Sequence, residues 1–241
     1  MKERFWEMDA LRGTAILLMI LFNWAFALQY LRISPLDLGW IFWFLLPRAI
    51  ASMFIVIAGV SFAISYSNAS KKKTNIYKKY FLRGGKVFCL GLLATAATWL
   101  LFPQNTIFFG ILHFLGITIM IAPLLMKAGK FTPLLAAVFI ATGIFLGTTA
   151  APFPWLLWLG IHPQNFQTFD YFPLLPWLGI FLAGILLGGR LYKNGRRSFK
   201  IREEIIPAKI LSFLGRHSLL IYVLHQPLLL AVLYTLGYAV L

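Results

Sequence analysis

The stretch RFWEMDALRGTAILLMILFNWAF (residues 4–26) sets Asp9, Arg12 and Asn23 in a run that is otherwise almost wholly apolar. On a helix, the eleven residues from Arg12 to Asn23 make nearly three turns. The two therefore share a face within about 20° and stand roughly 16 Å apart along the axis. Asp9 falls one turn before Arg12 on the same face. Similar misfits recur further along: Arg48, His113 in FFGILHFLGI, Asp170 beside Tyr171, and Ser218, Tyr222 and His225 in GRHSLLIYVLHQP after Arg216 and His217. Histidine, with a pKa near neutrality, is the commonest proton acceptor. Arginine grips carboxylates and phosphates with two parallel hydrogen bonds. Groups of this kind are costly at membrane depth, and by default they mark a cavity or a pathway.

The surroundings make that depth explicit. Of 241 residues, 60% are hydrophobic and 12% charged, with mean hydropathy +0.81. A soluble domain is about half apolar and about a quarter charged. Apolar runs of the roughly 20 residues needed to cross a bilayer recur along the chain. The expected fold class is all-α: a polytopic transmembrane helix bundle forming one integral membrane domain over residues 1–241. Seven spans are predicted, near 10–31, 41–67, 84–102, 107–126, 131–149, 172–190 and 217–239. Of 22 Lys and Arg, all but Arg32 and Arg48 then fall in cytoplasmic segments or at their edges. This asymmetry predicts an N-in, C-out protein in the cell (cytoplasmic) membrane. It also accounts for the net charge of +15 without a nucleic-acid partner, because basic loops suit an anionic inner leaflet.

Placed by depth, the misfits form two groups. Asn23, Arg48, His113 and Asp170 lie toward the outer side, and Asp9, Arg12, Arg216, His217 and His225 toward the inner. Plainer explanations stand beside this one. Asn23 could bond a neighbouring helix, and Arg48 could snorkel outward or pair with Asp37 or Asp170. Arg12 could be a topology signal, and a single histidine an interhelical donor. The single Cys89 rules out an intramolecular disulfide, and no metal site is expected. The first apolar run is too long for a cleavable signal and lacks a small-residue cleavage site, so it is expected to stay as a helix. The segment APFPWLLWLGIHPQNFQTFDYFP has an apolar middle too short to span. It is expected to lie along the outer interface, anchored by Trp155 and Trp158, and to act as a lid. Gly184 and Gly188 form a small-xxx-small pattern that allows close helix approach and permits a homodimer.

The first of these stretches resembles the opening helix of the heparan-α-glucosaminide N-acetyltransferase catalytic-domain family and, more distantly, the membrane acyltransferases that modify bacterial surface sugars. MFIVIAGVSFAIS, FFGILHFLGITI, DYFPLLPWLGIFLAGILLG and LGRHSLLIYVLHQPLL are similar to further family segments, in the family order and across most of the chain. The resemblance implies a transmembrane acyltransferase with acetyl-CoA as co-substrate and an amino-sugar or hydroxyl acceptor on the other side. Asn23 matches the family's active-site Asn, at the same eleven-residue distance from the Arg of LRG. The lysosomal enzymes carry a catalytic His eleven residues beyond this Asn, where an ungapped count reaches Ser34 here.

On that reading Asn23, His113, Arg48 and Asp170 are the expected catalytic set. His113 would accept the proton, and Asn23 and Arg48 would stabilise the oxyanion. Arg12, Asp9, Arg216 and His225 are the expected acetyl-CoA-binding set. In it, arginines hold the phosphates, Asp9 orients Arg12 and His225 lines the pantetheine path. Two other classes fit the same features: a transporter or flippase of a small anionic or lipid-linked molecule, and a non-catalytic member of the fold.

Overall fold

A computed structural model describes residues 5–34, 36–71, 75–201 and 205–238. The basic residues Lys2, Arg4, Lys72, Lys73 and Arg202 counted above lie outside them. The described residues form eight α-helices: α1 (Trp6–Tyr30), α2 (Leu46–Ser70), α3 (Ile76–Leu101), α4 (Ile111–Leu125), α5 (Thr132–Leu146), α6 (Leu174–Leu191), α7 (Ile206–Arg216) and α8 (Ser218–Thr235). A π-helical turn, Ile41–Leu45, leads into α2 immediately before Pro47. Proline has no N–H to continue the i→i−4 ladder, and the wider turn accommodates that loss.

Six helical stretches among the described residues are long and apolar enough to cross a membrane. The difference from the expected seven lies at 107–126 and 131–149. These become α4 and α5, of 15 residues each, joined by a tight turn, and together they make one of the six stretches. A 15-residue helix rises about 22 Å, less than the roughly 30 Å of hydrocarbon, so neither qualifies alone. Gly129 interrupts the helical backbone between them at φ 53°, a left-handed value that glycine adopts without a Cβ clash.

The chain divides into two compact units, Met1–Ile57 with Phe199–Leu241, and Ala58–Ser198. In the first, α1 packs along α7 and α8. The α1–α7 crossing is close enough that a Cβ on Gly13 would overlap the Leu211 carbonyl, and one on Gly215 the Asp9 carbonyl. Ser212, fully buried at this crossing, donates to the Trp6 carbonyl at 3.1 Å. Two apolar layers hold the rest. Ile16, Met19 and Ile50 pack with Ile221 and Tyr222, and Ala27 packs with Leu229 and Leu233. The basic stretch between α6 and α8 thus contains a short helix, α7. This helix buries its small residues and leaves Ile206, Ile210 and Phe213 exposed, a face suited to lipid.

In the second unit, glycines again set the approach. A Cβ on Gly84 would come within 2.5 Å of the Gly116 carbonyl where α3 meets α4, and one on Gly179 within 2.6 Å of the Ala136 carbonyl where α6 meets α5. Gly184 and Gly188 are buried, and a Cβ on Gly188 would press on Val60 and Ala63 of α2. Close approach at this pair therefore occurs, but within the unit. The small residues that would permit a second copy here admit the chain's own α2.

The long segment between α5 and α6 contains turns and no regular element. It is tied down by paired backbone at Phe109 with Tyr171 and at Ala150 with His162. Trp155 is 77% exposed and Trp158 45%, consistent with aromatic anchoring at an interface.

Candidate functional site

Of the residues expected at the inner mouth, Asp9, Arg12 and Arg216 lie at one helix crossing of the first unit, while His225 lies beside Gln226, which bonds Asn23. Arg12 pairs with Asp9 at 2.8 Å, the carboxylate being buried and the guanidinium partly open. Arg12 precedes Gly13 and Arg216 follows Gly215, so both arginines flank the glycine crossing of α1 and α7. The Arg216 Nε donates to the Ser212 carbonyl at 3.3 Å, which fixes the start of its guanidinium within α7. The crossing glycines are thus what set two arginines and one oriented carboxylate at one end of the unit.

Asn23 lies further along α1, between the two apolar layers. Its Nδ2 donates to the Met19 carbonyl at 3.0 Å, and its Oδ1 accepts from Gln226 Nε2 of α8 at 3.3 Å. Gln226 is a partner that sequence reading passed over. The signal was an amide beside His225 in LHQP, but nothing in the spacing pointed it at α1. His225, the neighbour of Gln226, places Nδ1 2.6 Å from the Tyr222 carbonyl. Arg48 is exposed, donating to the Phe44 carbonyl at 2.8 Å with its guanidinium 3.6 Å from the Phe44 ring centre. Its partner is thus its own preceding turn. Ser34 follows the end of α1, where its amide donates to the Leu28 carbonyl at 3.4 Å.

His113 and Asp170 come together in the second unit, at the N-terminus of α4. The Asp170 Oδ2 accepts from the Ile111 amide at 2.9 Å, a carboxylate set against the positive end of a helix. Gly110 is required there, since a Cβ would overlap that oxygen. His113 is 2% exposed, and both ring nitrogens are occupied. Thr95 Oγ1 donates to the Ile107 carbonyl, so toward the His113 Nε2, 3.2 Å away, it can only accept. Nε2 therefore carries the hydrogen, and Nδ1 accepts from the Gly110 amide at 3.2 Å. Gly91 leaves room for the ring, which packs edge-on to Phe88. The expected proton acceptor thus has a competing use. To take a proton, His113 would have to give up the bond that caps α4, and Asp170 likewise serves the cap. Depth in the sequence showed that both were unusual; it could not show that their partners were backbone groups.

The same loop half-buries Tyr171, whose hydroxyl donates to the Leu157 carbonyl at 2.7 Å. Burial pushes its pKa up to about 12, so it remains a donor at neutral pH. No group of three or more metal-binding side chains occurs among the described residues.

An all-helical fold with six apolar, membrane-length stretches among the described residues, and paired charges at a helix crossing, defines a multi-pass membrane protein. The family described as heparan-alpha-glucosaminide N-acetyltransferase, catalytic, matches residues 4–227, and the chain belongs to that family. Neither the curated proteins nor the solved structures yield a match.

Proposed function

We propose that this protein is an acetyltransferase of the cell membrane, with its N-terminus inside. It takes an acetyl group from cytoplasmic acetyl-CoA and passes it to an amino-sugar or hydroxyl acceptor on the outer side. The observation that carries this reading is the α1–α7 crossing, where Arg12, held by Asp9, and Arg216 flank Gly13 and Gly215. Family membership supplies the acyltransfer chemistry, and the distribution of Lys and Arg supports the orientation.

In this mechanism Arg12 and Arg216 bind the CoA phosphates, with Asp9 keeping the Arg12 guanidinium aligned. Asn23 faces the thioester. Its Nδ2 has two hydrogens and Met19 takes one, leaving the other for the oxyanion that develops as the acceptor attacks. Gln226 holds the amide plane in place through Oδ1. Arg48 joins this charge only by leaving Phe44, which its exposed position allows.

The test is purified protein with labelled acetyl-CoA and either glucosamine or glycerol. Release of CoA with label on the acceptor is expected, while binding without turnover would contradict the reading. Arg12→Ala should weaken acetyl-CoA binding about 10- to 100-fold, the loss expected for a charge-assisted hydrogen bond. An unchanged affinity would remove Arg12 from the phosphate grip.

A further inference from the structure

His225 differs from the other histidines. His113 has both ring nitrogens committed, while His162 and His217 lie outside the membrane-length helices. The His225 Nδ1 faces the Tyr222 carbonyl, and a carbonyl only accepts, so Nδ1 carries the hydrogen and Nε2 the lone pair. That Nε2 is buried and, among the described residues, has no hydrogen-bond partner. A buried polar atom without a partner is rare enough to require an explanation.

The ring lines a groove of about 310 Å³ between α1 and α8, whose other walls are Ile20, Trp24, Leu220, Ile221, Leu224 and Leu228. Ile20 and Trp24 bracket Asn23 on α1, and Gln226, next to His225, bonds the Asn23 amide. The unpartnered lone pair and the amide thus share the same short reach of α1 and α8. Apolar walls keep bulk water from competing for the lone pair.

We propose that His225 is the proton acceptor of the acetyl transfer, an assignment that rests on the acetyltransferase reading. The acceptor's amine or hydroxyl attacks the thioester carbonyl and loses its proton to Nε2. The carbon–sulfur bond then breaks, and the proton passes from Nε2 to the departing CoA sulfur, giving the acetylated acceptor and CoA thiol. The Tyr222 carbonyl fixes the tautomer and stabilises the imidazolium through Nδ1–H. Nε2 is closed off in the structure, so the ring or the groove wall shifts as the acceptor binds. Pro227 lies two residues on and removes one i→i−4 hydrogen bond from α8, which eases that shift. This role takes the place of the family histidine for which Ser34 stands here.

The experiment compares CoA release by the wild type and His225→Ala, with acetyl-CoA and glucosamine or glycerol, alongside acetyl-CoA binding. Turnover should fall about 100-fold or more with binding retained, and added imidazole should restore part of it. Undiminished turnover, or loss of binding together with turnover, overturns the assignment. A wild-type protein that releases no CoA defeats the acetyltransferase reading itself. Should the alanine variant fail to fold, ¹⁵N-histidine spectra of the wild type decide. The Nδ1–H tautomer at His225 and the Nε2–H tautomer at His113 are expected, and Nε2–H at His225 overturns the proposal.

Discussion

At the scale of residues, the decisive contrast is between two histidines in membrane-length helical stretches. His113 spends both nitrogens on the start of α4, and His225 leaves one nitrogen without a partner. Only the second arrangement preserves a lone pair for chemistry. Asp170 belongs with His113, holding the Ile111 amide from a loop far away in sequence. Asp170→Ala should therefore cost about 1–2 kcal/mol of stability, from the lost cap and the lost charge at the helix end. Thermal melting would show this loss, with faster hydrogen exchange at Ile111; unchanged melting would refute the capping role. That Asp9, Arg12, Asn23 and His225 were unusual was legible in the sequence, because charge and amides are conspicuous in apolar runs. Their partners were not. A hydrogen bond to a backbone carbonyl, such as Met19 or Tyr222 provides, leaves no mark on composition.

At the scale of elements, glycines determine which helices touch. Gly13 and Gly215 bring α1 against α7, and with them Arg12, which precedes Gly13, and Arg216, which follows Gly215. Gly13→Ala or Gly215→Ala forces a methyl into a backbone carbonyl that cannot move without its helix. Overpacking of this kind costs about 1–3 kcal/mol. Both variants should melt earlier and bind acetyl-CoA more weakly, whereas Gly85→Ala, where a Cβ meets open space, should change neither. Equal melting of all three would show that the crossing is not set by these residues. Helix α7 shows why sequence reading fell short here. Its apolar residues face outward and its small, polar ones inward, the reverse of the pattern by which a soluble amphipathic helix is recognised. The paired helices α4 and α5 were legible as apolar runs, but their lengths were overestimated. Gly110 at the start of α4 and Gly147 at the end of α5 bound them more tightly than hydropathy does.

At the scale of the whole molecule, the account requires that a phosphorylated donor and its acceptor be served from opposite faces of one membrane. Composition made the membrane readable, since hydropathy sums over many residues, and the basic loops carry the proposed orientation. The acceptor is not readable in this way, because a few polar contacts at one mouth decide it. The direct measurement uses sealed vesicles carrying the protein with its cytoplasmic loops outward. Labelled acetyl-CoA is added outside, and glucosamine or glycerol is trapped within. The account predicts labelled acetyl on the trapped acceptor, and none when the protein carries His225→Ala. Label that remains on CoA in vesicles whose protein binds acetyl-CoA, or that appears only on acceptor added outside, would contradict it.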